Sequence, residues 1–469
     1  MPPHPTGSGL PSATARAAEH AHAFIDKLPA RTVASPVDLE QLHAAFGGPV
    51  PESGADPASV IDDLVAAAEP GLVATAGPRY FGFVTGGSLP AAVGADWMAA
   101  AWDQNSVLGV SSPAAAVCEE VVASWLVDLL ALPTGSGVGL VTGGQMANTT
   151  CLAVARRTVL RKAGYDPDRD GLASCPPVAV VVGAEAHATI WRSLAFLGIG
   201  SAQVRVADVD EQGGIRPGVV ADALATLVPG TPAIVCAQAG NVNTGAFDPF
   251  DDIADACAAY GAWMHVDGAF GLWVAATPSR RSLVAGHHRA DSWAVDLHKW
   301  LNVPYDSGAA IMRDAANQAA CLRLSAPYLV AGEDLRDGSS FVPESSRRAR
   351  SFPAWAAIRS LGRQGIADMI EGCCELARTM AAQLAEHPEI EILNDVVINQ
   401  VMVRVGDSDE RTRALIAAVQ ADGTCWAGPT TWHDKTAMRI SVSNWSTTHA
   451  DIDLSVRAIL AALPDEPTS

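Results

Sequence analysis

Between Ser112 and Asp314 the chain repeats one rhythm: a short unbroken apolar run, a turn, then a helical pattern. The runs include "PPVAVVVG", "TPAIVCA", "AWMHVD" and "DSWAVDL". They do not alternate apolar with polar residues. Strands of this kind are covered on both faces, as in a mostly parallel sheet flanked by helices. The rhythm therefore predicts an α/β fold whose main sheet ends near "SGAAIMRD" at 307–314. Before about Asn105 the chain is helical or irregular. After a helix carrying Gly362 and Gly365, the runs "EIEILND", "NQVMVRV" and "MRISVSN" predict a small α+β domain. The expected organisation is a disordered tail over 1–18, an N-terminal helical segment over 19–105, a large domain over 106–375 and a small C-terminal domain over 376–469.

In such a sheet, ligands sit at the carboxyl ends of the strands. Four groups fall there. "TGGQMAN" at 142–148 joins a strand end to a helix start, where two glycines and free N–H groups suit an anion; a plain tight turn fits equally. "HATIW" sets His187 after the strand "VAVVV", either to cap the next helix or to stack on a flat ligand. "WMHVDGAFG" ends an apolar strand on Asp267, a carboxylate that must be compensated. It either caps the following turn or pairs with a protonated ring nitrogen. Lys299, in "DSWAVDLHKWLNVPYD", is one of four lysines against 27 arginines. In a partly dry site such an amine attacks aldehydes; a snorkelling surface lysine is the other reading, less attractive in a chain that avoids lysine. An anion cradle, a ring-stacking group, a carboxylate for a pyridinium and an imine-forming amine are the four needs of pyridoxal phosphate (PLP).

The formal charge of −20 argues against nucleic acid or an anionic membrane as partner, and no metal site is expected. An anionic cofactor must then be held by local cations and helix N-termini. Nine cysteines without a C-x-x-C pair, two of them adjacent at Cys373 and Cys374, read as reduced thiols of a cytoplasmic protein. No apolar run reaches the ~18 residues of a membrane helix, and the N-terminus has no apolar signal-peptide core. "GPRYFGFVTGG" at 77–87 is either a pocket wall or an aromatic plug between helices.

The sequence resembles the PLP-dependent group II amino-acid decarboxylases of the aspartate-aminotransferase fold. "DSWAVDLHKW" is similar to their lysine motif and "HVDGAFG" to their aspartate strand. "SPAAAVCEEVVASWL", "SSRRARSFPAWAAIRSLGRQGI" and "RISVSNWSTTHADID" match further blocks, and the likeness covers about 60–460. It implies a fold type I large domain with a seven-stranded sheet, and a homodimer with active sites at the interface. It implies decarboxylation of an L-amino acid through an internal aldimine at Lys299. Asp267 then keeps the pyridine nitrogen protonated, and His187 stacks on the ring. Gly143, Gly144, Gln145 and His298 lie at the phosphate. Asn241 stands near the cofactor where the family usually has threonine. Phe83 and Val84 fall on the substrate wall, and Arg439 reaches the substrate carboxylate.

Two departures bear on the outcome. Many relatives carry a loop tyrosine that protonates the substrate carbon. Here the loop "APYLVAGEDLRDGSSFVPESSRRAR" has only Tyr328, at its start, with Phe341 nearer the expected region. Relatives with phenylalanine there include aldehyde synthases, so oxidative decarboxylation-deamination stands as the alternative, beside aldol-type cleavage, transamination and a non-catalytic binding protein. The glycine loop has Gln145-Met146 where Ser-Glu is common.

Overall fold

The computed structural model describes residues 9–34, 37–324 and 335–464. Four helices come first: α1 (Gly9–Lys27), α2 (Leu39–Phe46), α3 (Pro57–Ala68) and α4 (Pro90–Trp102). Asp38 and Asp56 cap α2 and α3 by accepting two backbone N–H groups each. α5 (Pro113–Leu129) starts on Ser112, whose hydroxyl accepts the Ala115 N–H, with proline in the first turn.

The main sheet then forms with its helices: β1 (Gly137–Val141), α6 (Gly144–Lys162), α7 (Pro167–Asp170), β2 (Ala179–Gly183), α8 (Ala188–Phe196), β3 (Val204–Ala207), α9 (Val219–Ala225), β4 (Ala233–Gln238), α10 (Phe250–Tyr260), β5 (Trp263–Asp267), β6 (Ser292–Asp296), β7 (Gly308–Met312) and α11 (Ala315–Leu322). The strand order is β1-β7-β6-β5-β4-β2-β3. β7 is antiparallel to both neighbours and every other pairing is parallel. All residues of β1, β2, β5, β6 and β7 are buried. Side chains alternate between two cores: Val181 packs on one face, Val180 and Val182 on the other. This double cover is why the strands read as unbroken apolar runs.

α12 (Ser351–Ala385) follows, broken at Gly362, whose φ of 63° lies outside the helical range. The last segment holds β8 (Ile390–Ile392), β9 (Gln400–Val405), α13 (Asp409–Asp422), β10 (Gly428–Trp432), β11 (Lys435–Ser441) and α14 (His449–Ala461). Its sheet has the order β10-β11-β9-β8, antiparallel throughout.

Two expected boundaries change. The tail expected over 1–18 is helical from Gly9, because alanine-rich "SATARAAEHAHAF" favours helix and α1 packs on α3. The boundary expected at 375/376 falls inside α12, which packs on α4 and α5 as well as on α14 and β8, so one helix serves both parts. β3 and β10 were not anticipated. β3 is a short edge strand with an intermediate-exposed pattern, and β10 carries glycine and proline.

Candidate active site

β6 delivers Asp296 at its end, and Lys299 follows three residues later. Leu297 and Trp300, on either side, are fully buried and anchor the turn. Asp296 is buried and compensated twice. One oxygen accepts the Gly144 N–H at 2.5 Å, and the other lies 3.1 Å from Lys299 Nζ. The amine also stands 5.8 Å above the Phe270 ring.

Asp267 closes β5, one strand over. Its Oδ1 accepts the Ala269 N–H at 3.3 Å and its Oδ2 accepts from Asn148 Nδ2 at 3.1 Å. Burial pushes its pKa up, while His187 and Lys299 pull it back. A carboxylate whose charge burial penalises gains most from a cationic partner in the recess. His187 caps α8: its Nδ1 accepts the Thr189 N–H at 3.2 Å, so the neutral ring carries its proton on Nε2. Its own N–H donates to Gln238 Oε1 at 3.2 Å. Burial lowers its pKa, Asp267 opposes that, and Lys299 and Arg439 add to it. His187 and Asp267 thus fulfil their capping readings while Lys299, Gln238, Gly240, Val242, Ala269 and Phe270 complete one recess with them.

At the start of α6 three glycines let backbones meet. A Cβ on Gly308 would stand 2.6 Å from the Gly143 Cα, and one on Gly143 would stand 2.8 Å from His298 Cε1. His298 Nδ1 and Ser307 Oγ are buried there and have no hydrogen-bond partner among the described residues. Polar atoms left unpaired beside a helix N-terminus fit a phosphate, and a lysine amine with an acidic partner fits a pyridine aldehyde. The residues present therefore suit pyridoxal phosphate.

Other expected residues are engaged elsewhere. Gln145 Nε2 donates to Ser193 Oγ at 2.8 Å, tying α6 to α8, so its side chain turns from the cradle. Asn241 Oδ1 accepts the N–H groups of Asn243 and Thr244, while its neighbours Gly240 and Val242 line the recess. Val84 is core, and Phe83 is 65% exposed against Trp426 at 5.5 Å. Tyr80 and Phe81 form the aromatic plug, Tyr80 stacking on Trp426 at 5.1 Å. Arg439, on β11, has no hydrogen-bond or ion-pair partner among the described residues, and its charge is felt at His187. Phe341 sits under Arg336 at the β1 edge of the sheet, its carbonyl accepting from Gln318. Tyr328 lies outside the described residues. Asn148, Thr189, Gln238 and Asp296 were not singled out in the sequence, although Asn148, Thr189 and Asp296 stand inside motifs that were.

A family model described as the pyridoxal-dependent decarboxylase conserved domain matches residues 40–405. The chain is 25% identical over 458 residues to the aromatic-L-amino-acid decarboxylase of Bacillus atrophaeus, covering 94% of this chain and 92% of that one. It is 30% identical over 328 residues to the cysteine sulfinic acid decarboxylase of Rattus norvegicus, covering 68% and 66%. Among solved structures, Oryza sativa TDC with PLP and tryptamine superposes with a TM-score of 0.90 at 22% identity, over 99% of this chain and 100% of that one. The 4-hydroxyphenylacetaldehyde synthase of Rhodiola rosea does so at 0.85 and 21% identity, over 98% of each. The fold is therefore shared between reaction outcomes, and both sequence relatives are decarboxylases. The family match takes in every residue of the recess, so the chain belongs to the pyridoxal-dependent decarboxylases, and it is a carboxy-lyase that uses pyridoxal phosphate on an amino acid.

Proposed function

We propose that the substrate is an L-amino acid with an aromatic side chain and that Lys299 carries the cofactor. One observation carries the assignment of residues: the Lys299 amine, the Asp267 carboxylate and the neutral His187 ring face a single buried recess. Bound pyridoxal phosphate supplies an aldehyde for amines and a ring that takes up the electrons of the broken Cα bond. Lys299 would hold that aldehyde through its amine. Asp267 keeps a proton on a ring nitrogen set beside it. His187 offers a flat uncharged face. The N–H groups of α6 that follow Gly144, with His298, would hold the phosphate. Arg439 would orient the substrate carboxylate.

The aromatic class is supported by Tyr80, Phe83 and Trp426, which cluster beside the strand pairing of Gly428 with Arg439. It is also supported by the name of the Bacillus atrophaeus relative and the tryptamine of the Oryza sativa structure. An acidic side chain is the second reading, favoured by the cysteine sulfinic acid relative. Incubating the loaded protein with each of the twenty amino acids tests both. Carbon dioxide and amine in equal amounts from an aromatic amino acid are expected. Turnover of acidic ones alone would replace the substrate class, and aldehyde with peroxide would replace the reaction.

The protein is a homodimer with shared active sites in this reading. An apolar groove of about 950 Å³ runs between α4, α5 and the start of α12, lined by Met98, Trp102, Val117, Phe352 and Trp355. Trp102, Val117 and Trp355 are 50%, 48% and 40% exposed, an apolar face that suits a second copy. A cytoplasmic location is supported by nine cysteines that are all free. Among the described residues no helix is long and apolar enough to cross a membrane.

A further inference from the structure

Asp267 is reached from inside the protein by an unbroken chain of hydrogen bonds. Trp263, His265 and Asp267 alternate along β5, so all three point to one face of the sheet, toward α6. Trp263 Nε1 donates to Ser292 Oγ at 2.9 Å, and Ser292 Oγ lies 2.9 Å from His265 Nδ1. His265 Nε2 lies 2.9 Å from Asn148 Oδ1. Asn148 Nδ2 then donates twice: to Asp267 Oδ2 at 3.1 Å and to Thr189 Oγ1 at 3.3 Å. Thr189 Oγ1 in turn lies 2.8 Å from His187 Nδ1.

Every hydrogen in this chain is fixed by its ends. The Asp267 carboxylate only accepts, so Asn148 must present its NH2 group to it. Its carbonyl is then left for His265, which must donate from Nε2. Burial holds the His265 pKa down at about 3, so the ring is neutral and Nδ1 is bare. Nδ1 therefore takes the Ser292 hydrogen, and Ser292 accepts from the indole, which only donates. His265, Asn148 and Ser292 are all fully buried. Turning the Asn148 amide over would set its oxygen against the Asp267 carboxylate and break that contact, and the His265 ring would have to move its proton to Nδ1 to follow.

We propose that Asn148 is the positioning residue that locks the Asp267 carboxylate and the His187 ring into one unit, with His265 as the donor that holds its carbonyl oxygen. One amide plane thereby sets both the group under the ring nitrogen and the group against the ring face. The proposal rests on the assignment of Asp267 and His187 to the cofactor.

The test uses Asn148→Asp, His265→Leu and His265→Gln in the full chain. It reads the dissociation constant for pyridoxal phosphate, the pH dependence of the bound cofactor's absorbance, kcat and KM separately, and the melting temperature of the cofactor-free protein. Asn148→Asp removes both donors with almost no change of shape and sets a second acid against Asp267. It is expected to weaken cofactor binding by about tenfold or more and to lower kcat by a similar factor, with KM within about threefold. Its absorbance titration should shift to higher pH, because two adjoining carboxyls share a proton. His265→Leu should shift binding and kcat the same way. His265→Gln restores a donor and should bring both back to within about threefold of wild type. If Asn148→Asp does not fold, the contrast between the two His265 variants carries the test. Unchanged binding, titration and kcat in Asn148→Asp and His265→Leu, with only the melting temperature moved, would overturn the proposal. So would a His265→Gln variant as impaired as His265→Leu. A wild type that binds no pyridoxal phosphate would overturn the assignment of the recess instead.

Discussion

Gly86 crosses the backbone of Lys299 with no space for a side chain, and a methyl group at 86 would overlap the Lys299 carbonyl oxygen. The crossing is clamped from both sides by Asn302. Its Oδ1 accepts the Gly87 N–H at 2.6 Å, and its Nδ2 donates to the carbonyls of Lys299, Trp300 and Ser443. The loop at 77–87, the lysine turn and the small C-terminal sheet are thus one joint. Gly86→Ala forces that joint open. It should cost about 1–3 kcal/mol of stability by overpacking and lower kcat about tenfold or more by misplacing the amine. Gly372→Ala is the control, since a Cβ there meets nothing within 4 Å. Thermal melts and steady-state rates on both variants check this, and equal rates in both would dissociate the loop from the lysine.

Lys299→Ala and Lys299→Arg separate charge from nucleophilicity. Arginine still offers Asp296 a cation, where the wild-type amine stands 3.1 Å away, but forms no imine. Both variants are expected to lose activity by about 10³-fold or more, while Lys299→Arg melts nearer to wild type than Lys299→Ala. Borohydride reduction of the loaded wild type followed by peptide mass analysis should leave the cofactor's mass on Lys299. Label on Lys162 or Lys435 would move the site.

The strand ends were legible because a charge that closes a buried run stands out. Asp267 closes a run that is apolar but for His265, and the His298–Lys299 pair follows one whose polar residues are Ser292 and Asp296; a buried charge declares a purpose. Side-chain direction was not legible. Gln145 and Asn241 stand in the right loops, but Ser193 and the 241–244 turn offer their amides local partners, and a sequence shows position without rotamer. Asn148 was invisible for a different reason. Its partners Asp267 and His265 lie 119 and 117 residues away, and an asparagine one turn into a helix looks like surface until the sheet is laid beneath it.

His265 makes acid destabilisation a specific prediction. Its folded pKa of about 3 lies below the usual 6.5, so between those values the unfolded chain binds a proton that the folded one refuses. Its contribution to stability is whole above about pH 6.5 and shrinks as pH falls toward about 3. The melting temperature of wild type should therefore drop more steeply than that of His265→Gln over this window. Parallel melting curves against pH would show that His265 is protonated without penalty.

The groove along α4, α5 and α12 predicts an association that charge should break. Trp102 meets Phe352 edge-on at 5.1 Å and Trp125 stacks on Trp355 at 6.3 Å, so rings line the floor while Trp102 and Trp355 remain half exposed. Trp102→Glu with Trp355→Glu sets two charges in that face. Sedimentation velocity should find wild type at twice the chain mass and the double variant at 48.6 kDa. A wild-type monomer with full activity would remove the second copy from the site.

Arg439 supplies a prediction of opposite signs. Its guanidinium has no partner among the described residues, yet burial lowers its pKa, the mark of a cation held at a cost. Such a group is retained for a ligand rather than for stability. Arg439→Met keeps the length and removes the charge. The cofactor-free variant should be more stable than wild type by about 1–3 kcal/mol. Its KM should nevertheless rise about 10–100-fold, because the carboxylate of the substrate loses a charged hydrogen bond. The His187 pKa should also rise, since the positive charge that helped depress it is gone. Proton NMR of the histidine ring, a thermal melt and a substrate titration read the three effects separately. A variant that melts lower with KM unchanged would make Arg439 a packing residue of β11, and the substrate carboxylate would need another anchor.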